Sequence, residues 1–132
     1  MSPRSIIISS TLAFLLWYNG LINGTVIDLT PVPFQTDKLS VLVIEETEDS
    51  TKMPGSQIVA LGTLRQMVEQ KGGEYLQLDD DISLDNYKQW ARDAMSVKRE
   101  SLPWVVGSNG RKGFSKPAPK TEPEATKLLE GY

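Results

Sequence analysis

The strongest constraint on this chain is a run of 23 residues without a charged side chain, between Arg4 and Asp28. Twelve of the seventeen residues from 6 to 22 are apolar, whereas residues 31–132 carry 13 basic and 16 acidic side chains. The sequence therefore divides into an apolar head, a linker and a polar body. We predict a hydrophobic anchor helix over residues 1–24, a linker over 25–37 and a folded domain over 38–132.

The head has the length and composition of a transmembrane helix, which needs about 20 mostly apolar residues. Trp17 and Tyr18 suit the aromatic belt at a membrane surface, and Arg4 favours a cytoplasmic amino terminus with the body outside. A cleaved signal peptide and a segment packed in a protein assembly are the alternatives, although no Ala-x-Ala cleavage pattern follows the apolar run. The side chains predicted to enter the lipid bilayer are Ile6, Ile7, Ile8, Leu12, Phe14, Leu15, Leu16, Trp17, Tyr18, Leu21 and Ile22.

The chain contains neither cysteine nor histidine. Disulfides, thiolate metal sites, thiol nucleophiles, the usual zinc sites and the usual Ser-His catalysis are therefore excluded. With 14 basic against 17 acidic residues, the chain also lacks the positive surplus that nucleic-acid binding requires. We expect no cofactor, no metal and no nucleic-acid partner.

The body alternates strand and helix patterns in the order β-α-β-α-β-β-α, which predicts an α/β domain. Strands are predicted over residues 39–44, 74–78, 103–107 and 113–115. The first two strands should be parallel because a crossover helix joins them, and the last two antiparallel because Asn109-Gly110 favours a tight turn.

Three helices are predicted between and after these strands. The first covers residues 56–71, with Ser56 as its cap and an inward stripe of Ile58, Leu61, Leu64, Met67 and Val68. The second begins after Ser83 as its cap. The third covers residues 122–131 and begins with a capping box of Thr121 and Glu124.

Three stretches carry a resemblance to a known family. The segment SLPWVVGSNGRKGF, followed by a helix with Leu128 and Leu129, is similar to a cis-proline, a strand, a tight turn and a last strand before a terminal helix. The run LSVLVIEE looks like a central strand, and KMPGSQ precedes the long helix. In these stretches the body resembles the thioredoxin family. Met53 and Ser56 then stand where the two cysteines of its Cys-x-x-Cys motif would be.

The resemblance implies a thioredoxin-like fold without redox activity and a cis Leu102–Pro103 bond, although the residues alone also allow an ordinary trans proline at a strand start. It also implies a groove that accepts an extended polypeptide by backbone pairing. We expect this domain to be a protein-binding or structural subunit of a larger membrane, viral or phage assembly, contacting its partner through the groove or the head. The groove residues would be Met53, Pro54, Gly55, Ser56, Leu102, Pro103 and Trp104.

The sequence also allows other roles for Trp104, Ser56 and the aspartates Asp79–Asp81. Trp104 is either a core residue or, if exposed, a binding anchor. An enzyme of thioredoxin-like ancestry with non-thiol chemistry would use Ser56 as a nucleophile or the carboxylates of Asp79–Asp81 to bind Mg²⁺ or Ca²⁺. No base for Ser56 is evident nearby in the sequence, and a solvated loop also accounts for the three aspartates.

Overall fold

The computed structural model describes residues 32–46 and 52–132. The predicted anchor and most of the linker lie outside these residues, as does the polar segment 47–51. In the part of the chain that the structure describes, no helix is both long and apolar enough to cross a membrane.

The described residues form an α/β domain with a mixed four-stranded sheet. The sheet order is β2-β1-β3-β4, in which β1 pairs parallel with β2 and antiparallel with β3, and β3 pairs antiparallel with β4. The predicted α/β class, element order and two strand pairings are thereby confirmed. The elements are β1 (Ser40–Glu45), α1 (Gly55–Gln70), β2 (Glu74–Asp79), α2 (Gln89–Met95), β3 (Trp104–Ser108), β4 (Gly113–Pro117) and α3 (Glu122–Leu128).

Strand β1 supplies side chains to two separate hydrophobic cores. Val41 and Val43 pack with residues of α1, β3, β4 and α3, whereas Leu42 and Ile44 pack with residues of α2, β2 and β3. Successive side chains of a strand point to opposite faces of the sheet, so this run is buried on both faces. The sheet therefore lies between α1 and α3 on one side and α2 on the other.

Two helix starts differ from the prediction. Helix α1 begins at Gly55 with Pro54 as its N-cap, and no side chain caps it, so Ser56 is an exposed first-turn residue. Helix α2 begins at Gln89, so the predicted helix start after Ser83 is wrong.

Side chains of α2 bind the segment before the helix and also strand β2. The Arg92 guanidinium donates to the carbonyl oxygens of Asp85 at 2.9 Å and Tyr87 at 3.2 Å. Trp90 Nε1 donates to Glu74 Oε1 on β2 at 3.0 Å. The two Arg92 hydrogen bonds satisfy backbone carbonyl oxygens of this segment, which forms a turn at Asp85–Asn86 rather than a helix.

Helix α3 begins where the sequence predicted. Thr121 Oγ1 accepts a hydrogen bond from the Glu124 backbone N–H at 3.4 Å, which is one half of the capping box. The Glu124 carboxylate accepts from the N–H of Lys120 at 3.0 Å rather than from that of Thr121. The helix ends at Leu128, three residues before the predicted end.

Candidate functional site

A cleft of about 240 Å³ lies where the carboxyl end of β1 meets the first turn of α1. The loop before β3 forms its other wall through Leu102 and Pro103, and the Leu102–Pro103 peptide bond is cis, as the resemblance implied. Three separate parts of the sequence therefore build one site. Its lining residues are Glu45, Glu46, Lys52, Met53, Pro54, Gln57, Leu102 and Pro103.

Four of the seven residues predicted for the groove line this cleft. Met53 and Leu102 are half-buried, and each also packs against one of the two hydrophobic cores. Pro54 and Pro103 complete the apolar part of the lining. Residues that line the cleft therefore contact both hydrophobic cores.

The other three predicted residues lie elsewhere. Gly55 and Ser56 are exposed on the first turn of α1 and do not line the cleft. Trp104 is only 6% exposed, packs in the core beneath α2, and donates from Nε1 to Ser115 Oγ at 2.9 Å. Its indole is thus a core group with a satisfied N–H rather than a surface anchor.

Sequence reasoning missed Gln57, which lines the cleft and is only 6% exposed. Its Nε2 donates to the carbonyl oxygens of Pro119 at 3.2 Å and Ala118 at 3.4 Å. The side chain thereby ties the start of α1 to the loop between β4 and α3. A stripe through positions 57, 60, 61, 64 and 68, which follows helical spacing, would have revealed it.

A group of four carboxylates borders the cleft; we call Glu46, Asp79, Asp80 and Asp81 the acidic cluster. Their nearest carboxylate oxygens all lie within 4.8 Å of one another. The parallel register pairs Glu45 with Asp79, so β1 and β2 end at the same edge of the sheet. The Asp80 N–H also donates to the Glu45 carbonyl at 2.9 Å. Glu46 belongs to both the acidic cluster and the cleft.

The acidic cluster concentrates negative charge in a small region. The hydrogen bond with Asp80, reinforced by loss of hydration and by the charges of Asp79–Asp81, raises the pKa of Glu46 to about 6. Asp80 Oδ1 is enclosed and has no hydrogen-bond partner among the described residues. Within the same part of the chain, Glu46, Asp80 and Asp81 form no ion pair with a basic side chain. A positively charged group would relieve this concentration of negative charge.

The alternative hypothesis of an enzyme requires either carboxylates that bind a metal ion or a base that activates Ser56. Carboxylate oxygens are the ligands that Ca²⁺ and Mg²⁺ take, but exposed acidic groups commonly lie together without a cation. Ser56 Oγ has no hydrogen bond to a basic or acidic side chain among the described residues. The described part of the site therefore supplies no base that would activate Ser56.

Comparison with known proteins gives no identification. No family model matches this chain, and no curated protein matches it.

Proposed function

We propose that this protein is a membrane-anchored, redox-inactive, thioredoxin-like subunit that binds an extended polypeptide in the cleft beside Pro103. The single observation that carries the proposal is the cleft itself, where Met53, Pro54, Leu102 and Pro103 meet although they come from distant parts of the sequence. The order of helices and strands in the body also supports a thioredoxin-like fold. Because the chain has no cysteine, binding rather than thiol–disulfide exchange is the function proposed.

The size and chemistry of the cleft favour a polypeptide over a cofactor. Its volume of about 240 Å³ lies below the roughly 300–1,000 Å³ typical of small-molecule sites. An open apolar lining beside a helix start suits one or two side chains of a chain that continues beyond the cleft on both sides. Backbone pairing would supply the affinity, and the apolar lining would select the side chain.

The uncharged head supports the proposed location. Its 23 uncharged residues would hold the body against a membrane, with the amino terminus in the cytoplasm and the body outside. A subunit of a membrane or virion assembly would then meet its protein partner at the surface that carries the cleft.

Peptide binding tests the proposal most directly. We expect full-length protein in detergent micelles to bind short extended peptides. The backbone N–H groups of Lys52, Met53, residues 55–57, Leu102 and Trp104 should then gain protection from hydrogen exchange. Met53→Gln should weaken binding about five- to tenfold, because it removes an apolar contact worth about 1 kcal/mol.

Met67→Gln is the matched control. Met67 is also half-buried against the same core, but it lies near the end of α1 away from the cleft. This variant should bind peptides like the native protein. Protection confined to β4 and α3, or equal affinity of the Met53→Gln and native proteins, would contradict the proposal.

A further inference from the structure

The cleft and the acidic cluster form one continuous surface, because Glu46 lines the first and belongs to the second. Among the described residues, together they carry the carboxylates of Glu45, Glu46 and Asp79–Asp81, against a single basic lining residue, Lys52. The apolar residues of the cleft therefore lie beside a strongly negative region.

We propose that the polypeptide bound in the cleft is a basic segment, in which an apolar side chain enters the cleft and a neighbouring Lys or Arg side chain reaches the acidic cluster. This inference rests on the proposed function, since it specifies the chemistry of the polypeptide that the cleft binds. Charge complementarity between the segment and the acidic cluster supports it.

The arrangement of the carboxylates suits a Lys or Arg side chain. An ammonium group has three donors and a guanidinium group has five, so either can bond several carboxylate oxygens at once. The four cluster residues offer oxygens within 4.8 Å of one another. A neutral or acidic segment would leave these groups as they are or add repulsion.

The adjoining apolar lining favours a basic polypeptide over a bare divalent cation. A cation would contact the carboxylates alone, whereas a polypeptide also covers Met53, Leu102 and Pro103. In an extended chain, successive residues lie about 3.3 Å apart and point to opposite sides. Adjacent or alternate residues can thus reach the cleft and the cluster at the same time.

The experiment uses full-length protein in micelles with a chelator present and three fluorescein-labelled nonapeptides. The first is Gly-Ser-Lys-Val-Lys-Val-Lys-Ser-Gly, the second has acetyl-lysine at each lysine, and the third has glutamate there. Fluorescence anisotropy should show the lysine peptide binding about tenfold or more tightly than the acetyl-lysine peptide, and the glutamate peptide most weakly.

Two double variants locate the origin of this preference. Glu46→Gln with Asp80→Asn should reduce the preference to about threefold or less. Asp37→Asn with Glu130→Gln removes the same charge from exposed residues and should keep the preference intact. Asp37 lies before the amino end of β1, and Glu130 follows α3, so both are remote from the carboxyl end of β1.

The outcomes separate the two proposals. Equal affinity for the lysine and acetyl-lysine peptides would overturn the preference for basic segments while leaving polypeptide binding intact. A preference reduced equally by both double variants would also overturn it, because general charge rather than the acidic cluster would be responsible. No binding of any peptide would overturn both proposals.

Discussion

Glu46 belongs to both the cleft and the acidic cluster. It lines the cleft, and its carboxylate also lies close to those of the three aspartates at the end of β2. Ionisation of Glu46 places a further negative charge beside Asp80, and the protonated acid can instead donate a hydrogen bond to that carboxylate. The hydrogen bond with Asp80, together with loss of hydration and repulsion from Asp79–Asp81, raises the pKa of Glu46 to about 6.

The pKa of Glu46 predicts a pH-dependent effect of Glu46→Gln on stability. The pKa is raised from 4.5 to about 6 in the folded protein, so ionised Glu46 destabilises the fold above about pH 6. The variant should therefore be more stable than the native protein near neutral pH. This gain should shrink as the pH falls through 6 and vanish below about pH 4.5, where the acid is protonated in both states.

Urea unfolding of the full-length proteins between about pH 8 and pH 4 measures this effect. Glu130→Gln is the control, since it removes the same charge from an exposed residue outside the acidic cluster. Its unfolding curve should follow the native curve across the range. A Glu46→Gln protein that is less stable than native at pH 8 would show that its carboxylate is favourable in the fold.

At the scale of the element, α1 illustrates what determines the inner face of a helix. The predicted stripe put Ile58 inside, but Ile58 is 56% exposed and its neighbour Gln57 is buried. The buried positions are Gln57, Ala60, Leu61, Leu64 and Val68. The prediction was correct for Leu61, Leu64 and Val68. In the first turn the buried residue is Gln57 instead of Ile58, because this turn packs against the loop after β4.

Gln57→Ala tests the importance of that link. The change removes the donor to the carbonyl oxygens of Ala118 and Pro119, so we expect the free energy of unfolding to fall by about 1–2 kcal/mol. Gln66→Ala is the matched control, because Gln66 is exposed on the same helix. Urea unfolding should show little change for it, and equal effects of the two substitutions would argue against a role for the Gln57 hydrogen bonds.

At the scale of the whole molecule, opposite charges concentrate at different parts of the body. The acidic cluster lies where β1 and the edge strand β2 end, whereas Arg111 and Lys112 belong to the turn before β4, the other edge strand. Lys112 Nζ lies 4.4 Å from the centre of the Tyr132 ring, a cation–π contact. The modest net charge of −3 therefore conceals an uneven distribution, and local charge is the better guide to partners.

The apolar head predicts membrane association of the full chain. We expect the protein to stay in the membrane pellet after carbonate extraction. Leu15→Arg with Leu16→Arg should release it, because each arginine near the centre of a span costs about 2.5–3.5 kcal/mol.

Asn23→Arg is the control for that experiment, since it adds a positive charge at the predicted end of the span, where arginine is tolerated. This variant should remain in the pellet. Recovery of the native chain in the aqueous fraction would favour a cleaved or protein-packed head instead.

The sequence by itself determined the α/β class, the order of the elements and the strand pairing that follows from crossover helices and a tight turn. These features depend on hydrophobic period, turn residues and capping groups, which act over a few neighbouring residues. The resemblance carried by short segments also identified four residues that line the cleft, Met53, Pro54, Leu102 and Pro103.

Only the tertiary structure decided which side chains meet. The parallel register of β1 and β2 joined Glu46 to Asp79–Asp81, although more than 30 residues separate them in the sequence. The hydrogen-bond partners of Gln57, Trp104 and Trp90 likewise lie outside the elements that carry these side chains. Local periodicity contains no information about such partners, because the free energy that selects them arises from packing and hydrogen bonding between elements.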